Sequence, residues 1–235
     1  MSNTIADTIA FLDEQPVERF TNALWWEHTA LPALGLNGEN PTELPPELVA
    51  HLGTGLKIWQ YPNQFGPYLA HIASVAHEID NYIEIGTRHG GTFIITCEIL
   101  RRLNPSFTHA VAVDPIPMPP LLSAYGEMRG NMDYRQMKSS DPSFITWVQA
   151  HRWGLAFIDG DHSRDGVSLD YMVMRVCADR IVFHDITSDA CPDVGAVWRR
   201  TAGDGWRRHE WVKQYDSVGG TFMGIGMLEA AHGSR

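Results

Sequence analysis

Four short apolar stretches of this chain end in residues that can bind cations or move protons. They are Glu84 with Gly86 after Tyr82-Ile83, Asp114 after Val113, Asp159 after Phe157-Ile158, and His184-Asp185 after Val182-Phe183. One aspartate at a strand end is ordinary, because Asp favours turns and helix N-caps. Four such ends, all acidic, point to one shared site. Carboxylates with an imidazole beside them suit Mg²⁺ or a similar divalent ion. His162 lies three residues beyond Asp159 and adds a group that titrates near neutral pH. The simpler alternative makes His162 and His184 capping or hydrogen-bonded loop residues.

The first strand end opens the run Glu84-Ile-Gly86-Thr-Arg88-His-Gly90-Gly91-Thr. Glycines at a strand-to-helix turn let a ligand approach the backbone closely. A dinucleotide site would show G-x-G-x-x-G, with the pyrophosphate on the helix N-terminus. This loop reads G-x-x-x-G-G and carries a carboxylate inside the strand, which suits a cationic ligand better. Asp114, 30 residues after Glu84, can accept two hydrogen bonds from a ribose diol. Nicotinamide and adenosylmethionine sites share that role. The glycine loop separates them and favours adenosylmethionine.

The elements that must position these residues alternate regularly. Apolar runs predict strands over 82–85, 109–113, 133–138, 154–158, 180–183, 209–215 and 221–228. Helical spacing predicts helices over 68–77, 91–103, 121–130, 143–150, 163–176 and 194–200. Strands alternating with helices of this length mean βαβ units. The expected fold is α/β, a Rossmann-like, doubly wound, mostly parallel seven-stranded sheet. Ligands of such sheets sit beyond the carboxyl ends of the strands, where all four acidic ends fall. Residues 1–60 read as a helical and loop extension. One amphipathic helix is expected through Ile5, Ile9, Phe11, Leu12 and Phe20, then Trp25-Trp26 and a Gly, Asn and Pro-rich loop from Leu34 to Pro46. Residues 61–235 form the core domain. The last four residues, 232–235, carry no weight in this reading.

Composition bounds the function. Of 235 residues, 44% are hydrophobic and 20% charged, as in a folded globular chain. Lys and Arg number 18 against 28 Asp and Glu, a formal net charge of −10. That balance argues against nucleic acid as the main partner. No apolar run reaches the length of a membrane helix, and no signal-peptide pattern opens the chain. Cys97, Cys177 and Cys191 are too few and scattered for a disulfide framework or a CxxC zinc site. A cytoplasmic protein is expected.

The strings Y-I-E-I-G-T-R-H-G-G-T at 82–92, A-V-D-P at 112–115, F-I-D-G-D-H-S at 157–163 and I-V-F-H-D at 181–185 together resemble the class I adenosylmethionine-dependent methyltransferases. The branch they most resemble contains cephalosporin hydroxylase-like and macrocin-type O-methyltransferases. Ile58-Trp59-Gln60-Tyr61-Pro62 and Gly224-Ile225-Gly226 are also similar to it. The resemblance implies that Glu84, Gly86, Arg88 and Gly90 lie against S-adenosyl-L-methionine and that Asp114 holds its ribose. Ser139, Ser140 and Asp141 fall where the family has its loop beside the adenine. Asp159 borders the cofactor and, with His184 and Asp185, holds a divalent cation, Mg²⁺ by family habit. The family usually has two acids, or Asp then Asn, where this chain has His184-Asp185. His162 matches a general base. The implied reaction is O-methylation of a small-molecule hydroxyl, phenolic or sugar-like, by a homo-oligomer. The rivals are a metal-independent methyltransferase, a non-catalytic adenosylmethionine-binding module of a biosynthetic assembly, and a nicotinamide oxidoreductase.

Overall fold

The strands are β1 (Asn81–Ile85), β2 (His109–Asp114), β3 (Met132–Gln136), β4 (Leu155–Ile158), β5 (Arg180–Phe183), β6 (Trp206–Trp211) and β7 (Ile225–Ala230). They form one sheet in the order β3-β2-β1-β4-β5-β7-β6, parallel from β3 to β5, with β7 antiparallel to both its neighbours. This computed structural model describes residues 4–39, 44–201 and 205–231. Residues 40–43 of the proline-rich loop and the final residues 232–235 lie outside them.

Residues Tyr82–Ile85, Ala110–Asp114, Leu155–Ile158 and Arg180–Phe183 are buried throughout, because helices cover both faces of the parallel part. On one face lie α4 (Pro62–Val75), α5 (Gly91–Leu103) and α6 (Pro120–Arg129), whose Phe65, Ile94 and Leu122 share a core with Tyr82 and Phe157. On the other lie α7 (Pro142–Gln149), α8 (Arg164–Met174) and α9 (Pro192–Trp198), packing Phe144, Val167 and Val194 against Ile83 and Phe183. Register aligns Ile85 with both Val113 and Ile158, and Ile158 with Phe183. The four polar strand ends therefore reach one edge, around the β1–β4 crevice where the strand order reverses.

The extension opens with α1 (Ile5–Asp13), begun by a capping box between Thr4 and Asp7. The single helix expected through Phe20 is interrupted: Pro16 precedes a separate 3₁₀ turn, Val17–Thr21. Next come α2 (Ala23–Trp25) and α3 (Leu31–Leu34), joined by a π turn over Trp26–Ala30. Leu12, Phe20, Trp26 and Leu31 are fully buried in the same core as Phe65 and Leu69 of α4.

Several predicted boundaries shift, three of them at starts with a clear cause. Helix α4 starts at Pro62, six residues before the predicted start, since proline fits the first helical turn. Strand β6 starts at Trp206 rather than His209, because Trp206–Arg208 pair with Leu228–Ala230. Strand β7 starts at Ile225 rather than Thr221. The residues before it bond to the loop after β5 instead, with Asp189 N donating to Thr221 O at 2.8 Å and Ile186 N to Gly224 O at 3.1 Å. Among the described residues, no helix is long and apolar enough to cross a membrane.

Candidate active site

The turn after β1 exists because two of its residues lack side chains. Gly86 has φ +86, and a Cβ there would stand 1.9 Å from the backbone oxygen of Asp159. Gly90 has φ +90 and precedes α5, where a Cβ would meet the Leu122 side chain at 2.5 Å. Both positions favour glycine. Between them Arg88 adopts φ +47, which aims its N–H at Asp114 Oδ2, 2.7 Å away. The other Asp114 oxygen accepts from Ile116 N at 3.1 Å. These bonds lock the Asp114 carboxylate at the cavity wall while leaving lone pairs on both oxygens.

Arg88 reaches the cavity wall but has partners of its own. Its guanidinium lies 4.1 Å over the Trp59 ring and is ion-paired with Glu39. Glu84 lines the cavity from a buried position. It is 2% exposed, and the Tyr82 hydroxyl donates to its Oε2. Burial pushes its carboxyl well above the usual range; the Tyr82 bond opposes this and nearby Asp159 and Asp114 reinforce it. That upward push works against the anionic form.

The tips of β4 and β5 bring four expected residues together. Asp159 Oδ1 lies 3.0 Å from His162 Nε2 and 3.1 Å from His184 Nδ1. Asp185 Oδ2 lies 3.3 Å from His184 Nδ1 and 3.7 Å from His162 Nε2. Asp185 holds φ +60, and the following residues turn back to put Cys191 Sγ 3.2 Å from His162 Nδ1 and 3.5 Å from Asp185 Oδ2. Burial raises Asp159, but the His184 charge and bonds from both imidazoles prevail and hold it at about 2. The Asp159 bond, then the Cys191 contact, lift His162 to about 10 against burial. Burial pulls His184 down, yet Asp159 and Asp185 hold it well above the usual histidine value.

All these residues line one cavity of ≈ 920 Å³, together with Ser139, Ser140, Trp59, Gln60 and Glu39. Ser139 hydrogen-bonds Asp170, whose carboxyl burial pushes up to about 6. Cavities of this size hold nucleoside-sized ligands. The turn at Gly86 leaves the backbone open to a ligand, and Asp114 presents a fixed acceptor, so the residues fit adenosylmethionine. The cation set fits as well: one ligand atom each from Asp159, His184 and Asp185 lies within 4.8 Å of the others. His184 Nε2 is buried without a hydrogen-bond partner among the described residues.

Cys191, Glu39 and Gln60 are among the wall residues that escaped the sequence reading of the site. Cys191 carries no motif, and its thiol arrives only through the path of the loop after β5. Glu39 and Gln60 come from the extension, delivered by the Leu36 bridges to Leu52 and Ile58.

A family model described as a methyltransferase domain matches residues 83–206. No curated protein sequence matches. Among solved structures, the chain is similar to the cofactor-bound Rv0187 from MTB, at 14% identity and TM-score 0.52, over 95% of this chain and 96% of that one. It is similar to an O-methyltransferase from Bacillus cereus in complex with SAH, at 12% identity and TM-score 0.51, over 97% and 98%. A branched-chain polyamine synthase from Thermus thermophilus aligns at 10% identity and TM-score 0.57, over 93% of this chain and 65% of that one. At such identities the likeness is one of fold.

Proposed function

The chain belongs to the methyltransferase-domain family and is an adenosylmethionine-dependent methyltransferase, and on that premise we propose that it methylates a hydroxyl of a small-molecule acceptor with the help of a divalent cation. One observation carries this reading. Asp159 Oδ1, Asp185 Oδ2 and the nitrogens of His162 and His184 converge in the cavity that Asp114 also lines.

Asp114 binds the ribose hydroxyls of the donor, and Gly86 lets it lie against the backbone. Glu84 borders the cavity from beneath, and its carboxyl ionises when a positive ligand settles nearby. The bound donor supplies a methyl group on a positive sulfur for direct displacement, so the residues mainly align acceptor, methyl and sulfur. Asp159 and Asp185 hold the cation, Mg²⁺ or Mn²⁺, with His184 as third ligand. The cation, when bound, lowers the pKa of an acceptor hydroxyl. His162 takes the hydroxyl proton at Nε2, while Cys191 fixes the ring through Nδ1. Acting on a small molecule, the enzyme needs neither nucleic acid nor membrane. Three cysteines that form no disulfide suit a cytoplasmic setting, and self-association follows from the family resemblance.

The test is methyl transfer to a panel of catechols and sugars, with and without chelator. Loss of transfer in EDTA, restoration by Mg²⁺ or Mn²⁺, and a strong fall in Asp159→Asn with cofactor binding retained are expected. A metal-independent reading draws on the two imidazoles bonded to Asp159, which satisfy that carboxylate without an ion. Activity untouched by EDTA would select it.

A further inference from the structure

At the opposite end of the sheet from this cavity, β6, β7 and α4 bring His71, His209 and Glu229 together. His209 and Glu229 project from one face of the β6–β7 ladder, where His209 pairs with Met227 and Arg207 with Glu229. Helix α4 lays His71 onto that face, its ring centroid 4.6 Å from that of His209. Glu229 pairs in the ladder with Arg180, the first residue of β5. The cluster therefore stands about 13 Å along β5 from His184.

We propose that His71, His209 and Glu229 form a second metal site, which takes a transition dication such as Zn²⁺ and clamps α4 to the antiparallel edge of the sheet. One ligand atom from each lies within 4.8 Å of the others. His209 Nε2 and Glu229 Oε2 are 3.3 Å apart. That is about the edge of a tetrahedron whose Zn–N and Zn–O bonds are ~2.0–2.1 Å. His71 Nε2 is buried and has no hydrogen-bond partner among the described residues, so it pays no bond to turn toward an ion.

Two imidazoles and a carboxylate prefer a transition metal over Mg²⁺. The second oxygen of Glu229 accepts from Arg180 Nε at 3.0 Å, which orients the carboxylate as outer partners do in metal sites. Arg207 Nη1 lies 3.6 Å from Glu229 Oε2 on a side chain 73% exposed, and it can swing into water as the ion enters. Three protein ligands leave the fourth corner for water.

The site is separable from the catalytic one by experiment. Asp185 belongs to both other candidate ligand sets, with Asp159 and His184 and with His162 and Cys191. Untagged full-length Asp185→Asn protein therefore takes a ligand from both other sets, so that the His71 and His209 variants report the new site, and asparagine tolerates the positive φ at that position. Equilibrium dialysis against Zn²⁺ should leave one ion per chain on this protein. Co²⁺ should give the visible bands of a tetrahedral N₂O₂ complex, and Zn²⁺ should raise the melting temperature. Adding His71→Ala or His209→Gln should weaken Zn²⁺ binding by more than about tenfold and abolish the melting shift. If His71→Ala does not fold, His209→Gln, on the half-buried edge strand, decides the matter with circular dichroism as the fold control. Absence of bound Zn²⁺ in Asp185→Asn protein, or binding indifferent to His209→Gln in folded protein, overturns the site.

Discussion

Asp159 Oδ1 and His162 Nε2 are hydrogen-bonded at 3.0 Å, so the group expected to hold a cation and the group expected to accept a proton are each other's partners. Ion and proton must compete for the pair. With the imidazole lifted to about 10, cation uptake displaces a proton at neutral pH. Mg²⁺ or Mn²⁺ affinity should climb with pH between about 6.5 and 10. Calorimetry in buffers of different ionisation enthalpy should show proton release. Uptake without release would separate the ion from His162.

The same pair makes the cation-free protein sensitive to pH at both ends. His162 is raised in the folded state, so its contribution is complete below about pH 6.5 and fades as pH rises through about 10. Asp159 is lowered, so its contribution is complete above about pH 3.8 and fades as pH falls through about 2. Melting curves in EDTA should show wild type losing stability between pH 7 and 10 more steeply than His162→Gln. Parallel curves would mean that the bond contributes nothing to folding.

Replacing His162 tests its part in catalysis. General-base groups contribute about 100- to 10,000-fold, so His162→Ala should lower kcat by that order with cofactor affinity unchanged. A kcat within a few-fold of wild type, with the same pH profile, would hand the proton to another group.

Asp114 should matter for binding rather than turnover chemistry. Each charge-assisted hydrogen bond is worth about 1.5–3 kcal/mol, so Asp114→Ala should weaken S-adenosylhomocysteine by roughly tenfold or more. Asp114→Asn keeps one acceptor oxygen for the backbone N–H of Arg88 or Ile116 and should lose less. Unchanged calorimetric affinity in both would remove Asp114 from the ribose site.

Gly86→Ala meets two obstacles at once. The left-handed backbone costs a non-glycine residue about 1–2 kcal/mol, and the new Cβ would lie 1.9 Å from Asp159 O. The loop must shift, carrying the β4 tip with it. Cofactor binding and melting temperature should both fall, whereas Gly130→Ala, with no atom within 4 Å of its Cβ, should spare binding.

The strand ends were legible because a strand buried on both faces is a continuous apolar run, and its polar terminus stands out. Asp114, Asp159, His184 and Asp185 are all of this kind. Cys191 was not, since its place beside His162 depends on the loop after β5 pairing with residues 221–224, a contact between distant segments. The start of β6 was hidden for a different reason: an edge strand keeps polar residues such as Arg207 and Arg208, which read as loop. Glu84 was legible in position, but the burial that pushes its carboxyl up comes from distant segments packed around it, which local spacing does not show. Pro16 carries a break signal for the first helix, and the amphipathic spacing across it obscured the break.

Strand β7 follows β6 in the chain yet lies inside it in the sheet, between β5 and β6. During synthesis β6 therefore emerges with no neighbour to pair with, and the parallel sheet ends at an open β5. Only after residues up to Ala230 leave the ribosome can β7 slot in and join both. Until then β5 and β6 present bare edges to other nascent chains. A nascent chain whose emerged part ends between residues 211 and 225 should thus have its parallel strands paired and its sheet unfinished, the point at which a chaperone has most to protect.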